Sequence, residues 1–242
     1  MSYYDFKYKM DHKERGIALL INMHTYNPNP YELEERKWSK KDVENLINTL
    51  NYLEFRIVLL PNLTKSQLEI GLREQASHDH TNSDCFLCVV MSHGNDKNMI
   101  YTSDSKEIRF EEIMAPIKFC QTLISKPKLF FFQSCRGNEE LEFVTSSPPP
   151  NKKQKIESIS ETSFKDSESL KSDTDPFDGK IRHNIENESD LLVFYSTISN
   201  HVSWGNESEG TTFIKSFCDV FGKAYKNLPN SMSLSQMITR IK

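Results

Sequence analysis

The sequence predicts a single α/β domain in which helices cover both faces of a mostly parallel sheet. Three observations predict it. Short apolar runs recur along the 242-residue chain, and near-continuous apolarity is typical of strands buried on both faces. Helical patterns separate most of these runs. The hydrophobic content of 37% is also enough for one full core. Sheets of this kind carry their binding sites at the carboxyl ends of the strands.

Five apolar runs are predicted strands because they are rich in β-branched and aromatic residues. In chain order they are Gly16–Ile21, Phe55–Leu60, Cys85–Met91, Leu129–Phe132 and Leu191–Tyr195. The clearest predicted helix is Lys41–Leu53, and Ser39 with Asp42 resembles a capping box at its start. Further predicted helices are Lys65–Ala76 behind a Thr64 cap, the stripe Phe213–Phe221, and a short helix near Ile241.

Composition argues against several classes of partner and compartment. The net charge is −4 with both signs interspersed, so the chain has no field that would gather nucleic acid or an anionic membrane. Five cysteines are an odd number, and three lie in apolar stretches, which favours a reducing compartment. The pair Cys85 and Cys88 lies within a predicted strand, so we interpret it as core rather than as a zinc or redox site. With no apolar leader or span, we expect a cytoplasmic protein.

Residues 141–190 differ in composition from the rest of the chain. Ser, Thr, Lys, Glu and Asp dominate, and Pro148–Pro150 lies near the start. Such a segment cannot bury enough apolar surface to offset its chain entropy, so we expect a disordered linker. The run Leu191–Tyr195 is needed to complete the sheet, which means that the linker interrupts one domain rather than separating two.

Two motifs follow predicted strands and bring a thiol and an imidazole to one edge of the sheet. Gln133-Ser-Cys-Arg-Gly137 follows one strand, and Ser92-His-Gly94 follows another. An imidazole lowers the pKa of a nearby thiol by stabilising the thiolate, so His93 is the expected acid/base partner of a nucleophilic Cys135. The oxyanion formed by its attack needs backbone N–H donors, for which the amides of Gly94 and Cys135 are candidates.

These motifs, with the histidine about 40 residues before the cysteine, resemble the caspase signature. Other segments resemble the family in the same order, from about residue 10 to residue 241: Arg15–Ala18, Asp84–Phe86, Tyr195–Thr197 and Ser203-Trp204. The resemblance implies a three-layer cysteine endopeptidase that cleaves after aspartate in apoptotic or related signalling. It implies a zymogen that needs no metal or organic cofactor. Its implied partners are protein substrates, a caspase homodimer or heterodimer, and an upstream processing caspase.

The resemblance also divides the chain into parts. Residues 1–13 correspond to a short leader, 14–140 to the large subunit, 141–190 to the intersubunit linker and 191–242 to a shortened small subunit. Asp175 and Asp178 resemble the outer and scissile positions of the site at which the subunits are separated. The final dimer-interface strand of the family is expected to be missing, since the sequence stops at Lys242.

The implied pocket for the substrate aspartate is incomplete. Arg36 and Gln133 match two of its three side chains, and Ser203 and Trp204 match the adjoining substrate-binding segment. Gly205 stands where the family has the second arginine, and Trp38 stands where it usually has glycine. We therefore expect weakened aspartate selectivity. The alternative is a catalytically impaired homologue that regulates an active caspase by pairing with it. If the C-terminus is instead incomplete, the missing interface strand no longer argues against a dimer, whereas Gly205 still argues against a complete pocket.

Overall fold

The computed structural model describes residues 8–95, 97–134, 190–196, 205–206, 208–226 and 233–241. Its centre is a five-stranded parallel sheet of order β2-β1-β3-β6-β7. The strands are β1 (Ile17–Asn22), β2 (Arg56–Pro61), β3 (Phe86–Met91), β6 (Lys128–Gln133) and β7 (Leu191–Tyr195). All five predicted strands are confirmed, each within two residues of its expected bounds. Because they run in parallel, their carboxyl ends share one edge of the sheet.

Alternate residues of the strands feed two separate cores, one on each face of the sheet. In β1, Ile17 and Leu19 belong to one core whereas Ala18 and Leu20 belong to the other. The central strands β1, β3 and β6 are buried along their whole length. Both faces are therefore covered, and the predicted three-layer arrangement is confirmed.

Five α-helices supply the outer layers. They are α1 (Ser39–Tyr52), α2 (Lys65–Ser77), α3 (Phe110–Lys118), α4 (Thr212–Lys226) and α5 (Leu234–Ile238) among the described ranges. Leu68 of α2 packs on one face, whereas Leu46 of α1 and Phe217 of α4 pack on the other. The predicted Thr64 cap is confirmed, since its hydroxyl accepts from Gln67 N–H and the Gln67 side chain accepts from Thr64 N–H.

The capping box expected at Ser39 and Asp42 is wrong. Helix α1 begins at Ser39 itself, and the residue before it makes no side-chain cap. Asn22 donates to the Ser39 hydroxyl at 3.2 Å, and Thr211 N–H donates to the Asp42 carboxylate at 2.7 Å. Both side chains are used by residues remote in sequence, which a local motif cannot reveal.

Two antiparallel hairpins and one helix were not expected. The hairpins are β4 (Met99–Tyr101) with β5 (Glu107–Arg109), and β8 (Gly205–Asn206) with β9 (Gly210–Thr211). Their strands have two or three residues, too few to show a period. The helix α3 contains Pro116, which argues against a helix when the sequence is read alone.

Much of the expected leader and almost all of the expected linker lie outside the described residues. The structure therefore gives no test of the boundaries 1–13, 14–140, 141–190 and 191–242. Within the described ranges, no helix has the length and apolarity needed to cross a membrane.

Gly16 offers a stability test at the entry to β1. Its φ of +121° is rarely adopted by other residues, and an added Cβ would lie within van der Waals radii of the Cys85 carbonyl oxygen. Gly16→Ala is expected to lower the free energy of unfolding by about 3 kcal/mol or more, from backbone strain and overpacking together. Urea unfolding followed by circular dichroism measures the loss.

Gly222→Ala is the matched control because a Cβ at this position in α4 meets no atom within 4 Å. Removing glycine from a helix interior is expected to raise the free energy of unfolding by about 0.5–1 kcal/mol. Equal effects of the two substitutions would show that the conformation and close packing at Gly16 are not what requires glycine there.

Candidate active site

The candidate site lies where the carboxyl ends of β1, β3 and β6 meet. The register pairs Met91 of β3 with Gln133 of β6, and Ser92 N–H donates to the Gln133 carbonyl at 3.2 Å. His93 therefore follows β3 by the same two residues by which Cys135 follows β6. The order of the sheet also reverses between β1 and β3, and such a switch point is the usual place for a binding crevice.

The imidazole of His93 is oriented by a backbone carbonyl. Its Nε2 lies 2.8 Å from the carbonyl oxygen of Glu34. A carbonyl oxygen can only accept, so Nε2 carries a proton and is the donor of this bond. In the neutral ring, the lone pair that can take a further proton is then on Nδ1. This is the arrangement that a general base needs.

Tyr26 supports the backbone of the same motif. Its hydroxyl accepts from His93 N–H at 3.1 Å and lies 3.2 Å from the Ser92 hydroxyl. The two rings of Tyr26 and His93 are tilted with centroids 5.4 Å apart. Ser92 in turn donates to the carbonyl of Tyr101 at 2.6 Å. The histidine is therefore fixed by its backbone, by its ring nitrogen and by a neighbouring ring.

Burial lowers the pKa of His93, and the positive charge of Arg36 lowers it further. The hydrogen bond to the Glu34 carbonyl acts in the opposite direction. A depressed histidine pKa means that the neutral ring predominates at neutral pH. His93 can therefore accept a proton under physiological conditions.

Gly94 forms an isolated antiparallel bridge with Ile100. Its two hydrogen bonds are made by the flanking residues: Asn95 N–H donates to Met99 at 3.1 Å and Tyr101 N–H donates to His93 at 3.0 Å. In such a pair the central residue directs its own N–H away from the partner strand. The bridge therefore leaves the Gly94 amide facing away from Ile100, as an oxyanion donor would require.

The predicted nucleophile Cys135 lies outside the described residues, but the chain is defined up to its neighbour. Ser134 N–H donates to the hydroxyl of Ser196 at 3.3 Å, and Ser196 N–H donates to the Phe132 carbonyl at 2.8 Å. The end of β6 is thus attached to the residue after β7. The end of β6, up to Ser134, is therefore attached to its neighbours on both sides.

Arg36 and Gln133, separated by 97 residues in sequence, are in direct contact. Arg36 Nη2 donates to Gln133 Oε1 at 2.6 Å, and the side chains of both residues are buried. Arg36 Nη1 also donates to the Asn22 side chain at 3.2 Å and to the Met23 carbonyl at 3.0 Å. A buried guanidinium held at the ends of β1 and β6 is a suitable ligand for a carboxylate.

A buried carboxylate lies on the other side of the Arg36 guanidinium. Asp42 Oδ2 is 3.8 Å from Arg36 Nη2, and Asp42 is fully buried. Its Oδ1 accepts from Thr211 N–H at 2.7 Å and from the Thr211 hydroxyl at 3.1 Å. Burial raises the pKa of Asp42, whereas the Thr211 bonds and the Arg36 charge oppose the rise. Asp42 thus links Arg36 to the β8–β9 hairpin.

The hairpin determines where position 205 lies. Gly205 pairs with Thr211, and directly opposite residues of antiparallel strands share a face. A side chain at position 205 would therefore project on the face from which Thr211 contacts Asp42. Thr211 therefore lies between position 205 and the carboxylate of Asp42 in the chain of contacts.

Other predicted site residues fall elsewhere. Ser203, Trp204, Asp175 and Asp178 lie outside the described residues. Trp38 precedes α1 with a helical backbone, and its indole N–H is buried without a hydrogen-bond partner in the structure.

Three contributors to the site have no recognisable signal in the sequence. The Glu34 carbonyl is a backbone group, so no residue type could have signalled it. Tyr26 lies in an irregular segment without a period, and nothing in its surroundings distinguishes its hydroxyl. The sequence suggests a helix cap for Asp42, and its burial is visible only in the structure.

Comparison with known proteins identifies the family. A family model described as Caspase domain matches residues 15–242. The chain belongs to the caspase family. The match includes the His93 motif, the Arg36 segment and the β8–β9 hairpin, so every element of the candidate site falls inside this caspase domain.

Individual caspases are similar over most of the chain. Caspase-8 of Rattus norvegicus is 32% identical over 222 residues, which cover 88% of this chain and 42% of the relative. Caspase-7 of Gallus gallus is 29% identical over 238 residues, which cover 98% of this chain and 68% of the relative. The chain therefore spans less than half of that caspase-8 and about two thirds of that caspase-7.

The crystal structure of caspase-1 from Spodoptera frugiperda superimposes with a TM-score of 0.72 at 24% identity. The superposition covers 97% of this chain and 77% of the insect protein. At this identity the similarity concerns the fold, which is therefore caspase-like.

Proposed function

We propose that the protein is a cysteine endopeptidase that cleaves protein substrates after aspartate, with weakened selectivity for that residue. The observation that carries this proposal is the fixed orientation of His93, whose Nε2 donates to the Glu34 carbonyl at 2.8 Å. That bond supports Nδ1 as the base, and the parallel pairing of Met91 with Gln133 supports a site at the edge of the sheet that follows these two residues. The contact between Arg36 and Gln133 supplies a carboxylate-binding group beside them.

In this mechanism His93 Nδ1 takes the proton of the Cys135 thiol, and the thiolate sulfur attacks the main-chain carbonyl carbon of the substrate aspartate. The negative charge that develops on the carbonyl oxygen is received by the N–H groups of Gly94 and Cys135. His93 then returns its proton to the leaving amine as the peptide bond breaks. Water, deprotonated by His93, hydrolyses the resulting thioester and restores the thiol.

In this proposal only two side chains bind the substrate carboxylate, one fewer than the pocket that the family resemblance implies. Arg36 and Gln133 bind the aspartate carboxylate, and Ser203 and Trp204 hold the adjoining substrate backbone and side chain. Gly205 brings no cation to the face that it shares with Thr211. Loss of one charged partner of a buried carboxylate costs about 2–5 kcal/mol, so selectivity for aspartate is low.

The test is cleavage of fluorogenic tetrapeptides ending in aspartate by the full chain. We expect slow cleavage that is abolished by Cys135→Ala. In parallel, alkylation of Cys135 by iodoacetamide, followed by mass spectrometry, should be faster than that of Cys218, because burial raises the pKa of Cys218 to about 11.

Two results would overturn the peptidase proposal. One is the absence of cleavage for every aspartyl peptide together with alkylation of Cys135 no faster than that of a free cysteine. The other is cleavage that persists in Cys135→Ala. Either would show that the thiol is not an activated nucleophile.

A second candidate function is regulation of an active caspase by pairing with it. Two features favour it: glycine at position 205, where the family has an arginine, and the partial exposure of the apolar strand β7 along its whole length. In the described part of the chain, β7 is an edge strand of the sheet. A partly exposed apolar edge strand is a site at which a strand from another chain can add. A change in the rate of an active caspase on adding Cys135→Ala protein would support this function.

The proposed setting is a cytoplasmic signalling pathway in apoptosis or a related process. An upstream caspase is proposed to cut after Asp178, with Asp175 at the outer position of the site. Incubation with an active effector caspase and mass spectrometry of the fragments locates the cut. An intact chain, or a cut only elsewhere, would remove this part of the proposal.

A further inference from the structure

Tyr31 is an exposed aromatic residue close to the proposed base. The residue is 53% exposed, and its ring packs against that of Tyr101 with centroids 5.0 Å apart. Tyr101 is bonded to the histidine motif at two points: its N–H donates to the His93 carbonyl at 3.0 Å, and its carbonyl accepts from the Ser92 hydroxyl at 2.6 Å. A half-exposed ring is thus held beside the motif that carries the proposed base.

The loop that carries Tyr31 is closed by its own hydrogen bonds. The Asn29 side chain donates to the Leu33 carbonyl and accepts from Leu33 N–H, both at 2.8 Å. The start of the loop is attached to the turn between β4 and β5, because the Ser105 hydroxyl donates to the Pro28 carbonyl at 2.6 Å. A ring on a loop that is already ordered can bind a ligand with little further loss of conformational entropy.

The hairpins β4–β5 and β8–β9 lie on opposite faces of the central sheet. Tyr101 of β4 packs on the same core as Leu68 of α2. Thr211 of β9 instead bonds to Asp42 of α1, and α1 packs on the other core through Leu46. The candidate site, at the ends of the strands, therefore has one hairpin on each side.

The proposed function gives a bound substrate a direction across the site. Its recognised side is assigned to Ser203 and Trp204, which immediately precede β8. The amine released by cleavage takes a proton from His93, so the first residue of the leaving segment lies beside the imidazole. A peptide that enters along β8 and passes His93 leaves the site over the opposite face, where Tyr31 is exposed.

We propose that Tyr31, supported by Tyr101, is a subsite for the leaving segment of the substrate and favours an aromatic side chain within the first three residues after the cleaved bond. The inference rests on the proposed function, because it takes His93 as the group that protonates the leaving amine. Two aromatic rings in edge-to-face or offset contact gain more than the area they bury, which a small side chain at the same place cannot match. This selectivity is separate from that of the carboxylate pocket at Arg36.

Binding measured without turnover tests the inference separately from catalysis. Isothermal titration of Cys135→Ala protein with uncleaved peptides that continue past the aspartate gives their dissociation constants. Three peptides carry phenylalanine at the first, second or third leaving position, and a fourth carries alanine at all three. We expect the tightest phenylalanine peptide to bind about 3- to 10-fold more tightly than the alanine peptide, which is the range for one aromatic contact.

Three further variants separate a contact with the substrate from support of the loop. Tyr31→Ala should remove the preference for phenylalanine and leave the affinity of the alanine peptide unchanged. Tyr31→Phe retains the ring and should retain the preference. Tyr52→Ala is the matched control, because Tyr52 is 45% exposed but lies at the end of α1, on the other face of the sheet. It should leave all four dissociation constants unchanged.

The inference fails if the four peptides bind equally, if none binds, or if the preference survives Tyr31→Ala. It also fails if Tyr31→Ala weakens all four peptides by the same factor, because Tyr31 would then only support the loop. A preference that depends on Tyr31, in a chain whose intact Cys135 cleaves none of the peptides, would support the subsite while removing the peptidase proposal. Cleavage at equal rates with aromatic and alanine leaving segments would do the reverse.

Discussion

Gly205→Arg is expected to raise kcat/KM for aspartyl peptides by roughly 30-fold to several-thousand-fold. The range corresponds to the 2–5 kcal/mol that a buried, charge-assisted partner of a carboxylate typically supplies. Gly205 pairs with Thr211, so the new side chain would project on the face from which Thr211 contacts Asp42. A second guanidinium would reach the pocket and offset the charge of Asp42. Steady-state kinetics with aspartyl and asparaginyl peptides measures the gain, which should be confined to the aspartyl series.

Gly205→Met is the matched control, since it adds a side chain of similar length without charge. It should give no gain for aspartyl peptides. Activity of the unaltered chain equal to that of Gly205→Arg would contradict the argument, because the pocket would then not need a second cation. A gain of equal size in both peptide series would also contradict it.

His93→Gln is expected to lower kcat by about 10²–10⁴-fold while KM changes little. This is the usual contribution of a positioned general base, and the residue is not assigned a contact with the recognised side chain. The variant should also slow alkylation of Cys135, because the thiolate loses its partner. The two readouts together distinguish a loss of thiol activation from a loss of substrate binding.

His78→Gln is the control for this substitution, because His78 lies at the end of α2, remote from the strand ends that form the site. It should change neither rate. Tyr26→Phe removes the hydroxyl that binds His93 N–H and should lower kcat less than His93→Gln does. A large rise in KM with unchanged alkylation in His93→Gln would show that His93 acts in binding rather than as a base.

The central sheet could be predicted from the sequence because its physical cause is local. Strands such as Phe86–Met91 are buried on both faces, so every position in them must be apolar. The hairpins are different. The strands β8 and β9 have two residues each, and what holds Thr211 is the carboxylate of Asp42, 169 positions away. A hydrogen bond between residues so far apart in sequence cannot be predicted from a local pattern of residue types.

The candidate site likewise contains some groups that the sequence predicts and others that it does not. His93 and Arg36 can be predicted because recognisable motifs carry them. The Glu34 carbonyl and the bond from Arg36 to Gln133 arise only when separate strands end at one edge. The assignment of Asp42 to a helix cap was wrong for a related reason, since the first turn of a helix is where carboxylates most often cap. In this protein Thr211 of the β8–β9 hairpin, rather than the helix N-terminus, donates hydrogen bonds to that carboxylate.

Arg36 stabilises the fold in addition to its proposed role in binding the substrate carboxylate. Its guanidinium joins the ends of β1 and β6 and balances the buried charge of Asp42. Loss of Arg36 would leave an unpaired carboxylate in the interior, so selection for folding alone would retain this arginine in a descendant that no longer cut anything. The presence of Arg36 in a related sequence is therefore weak evidence that the protein is active. Position 205 is glycine in this chain and so has no side chain that could balance a buried charge. Among related sequences, the residue at this position would be the more sensitive indicator of which lineages still cleave.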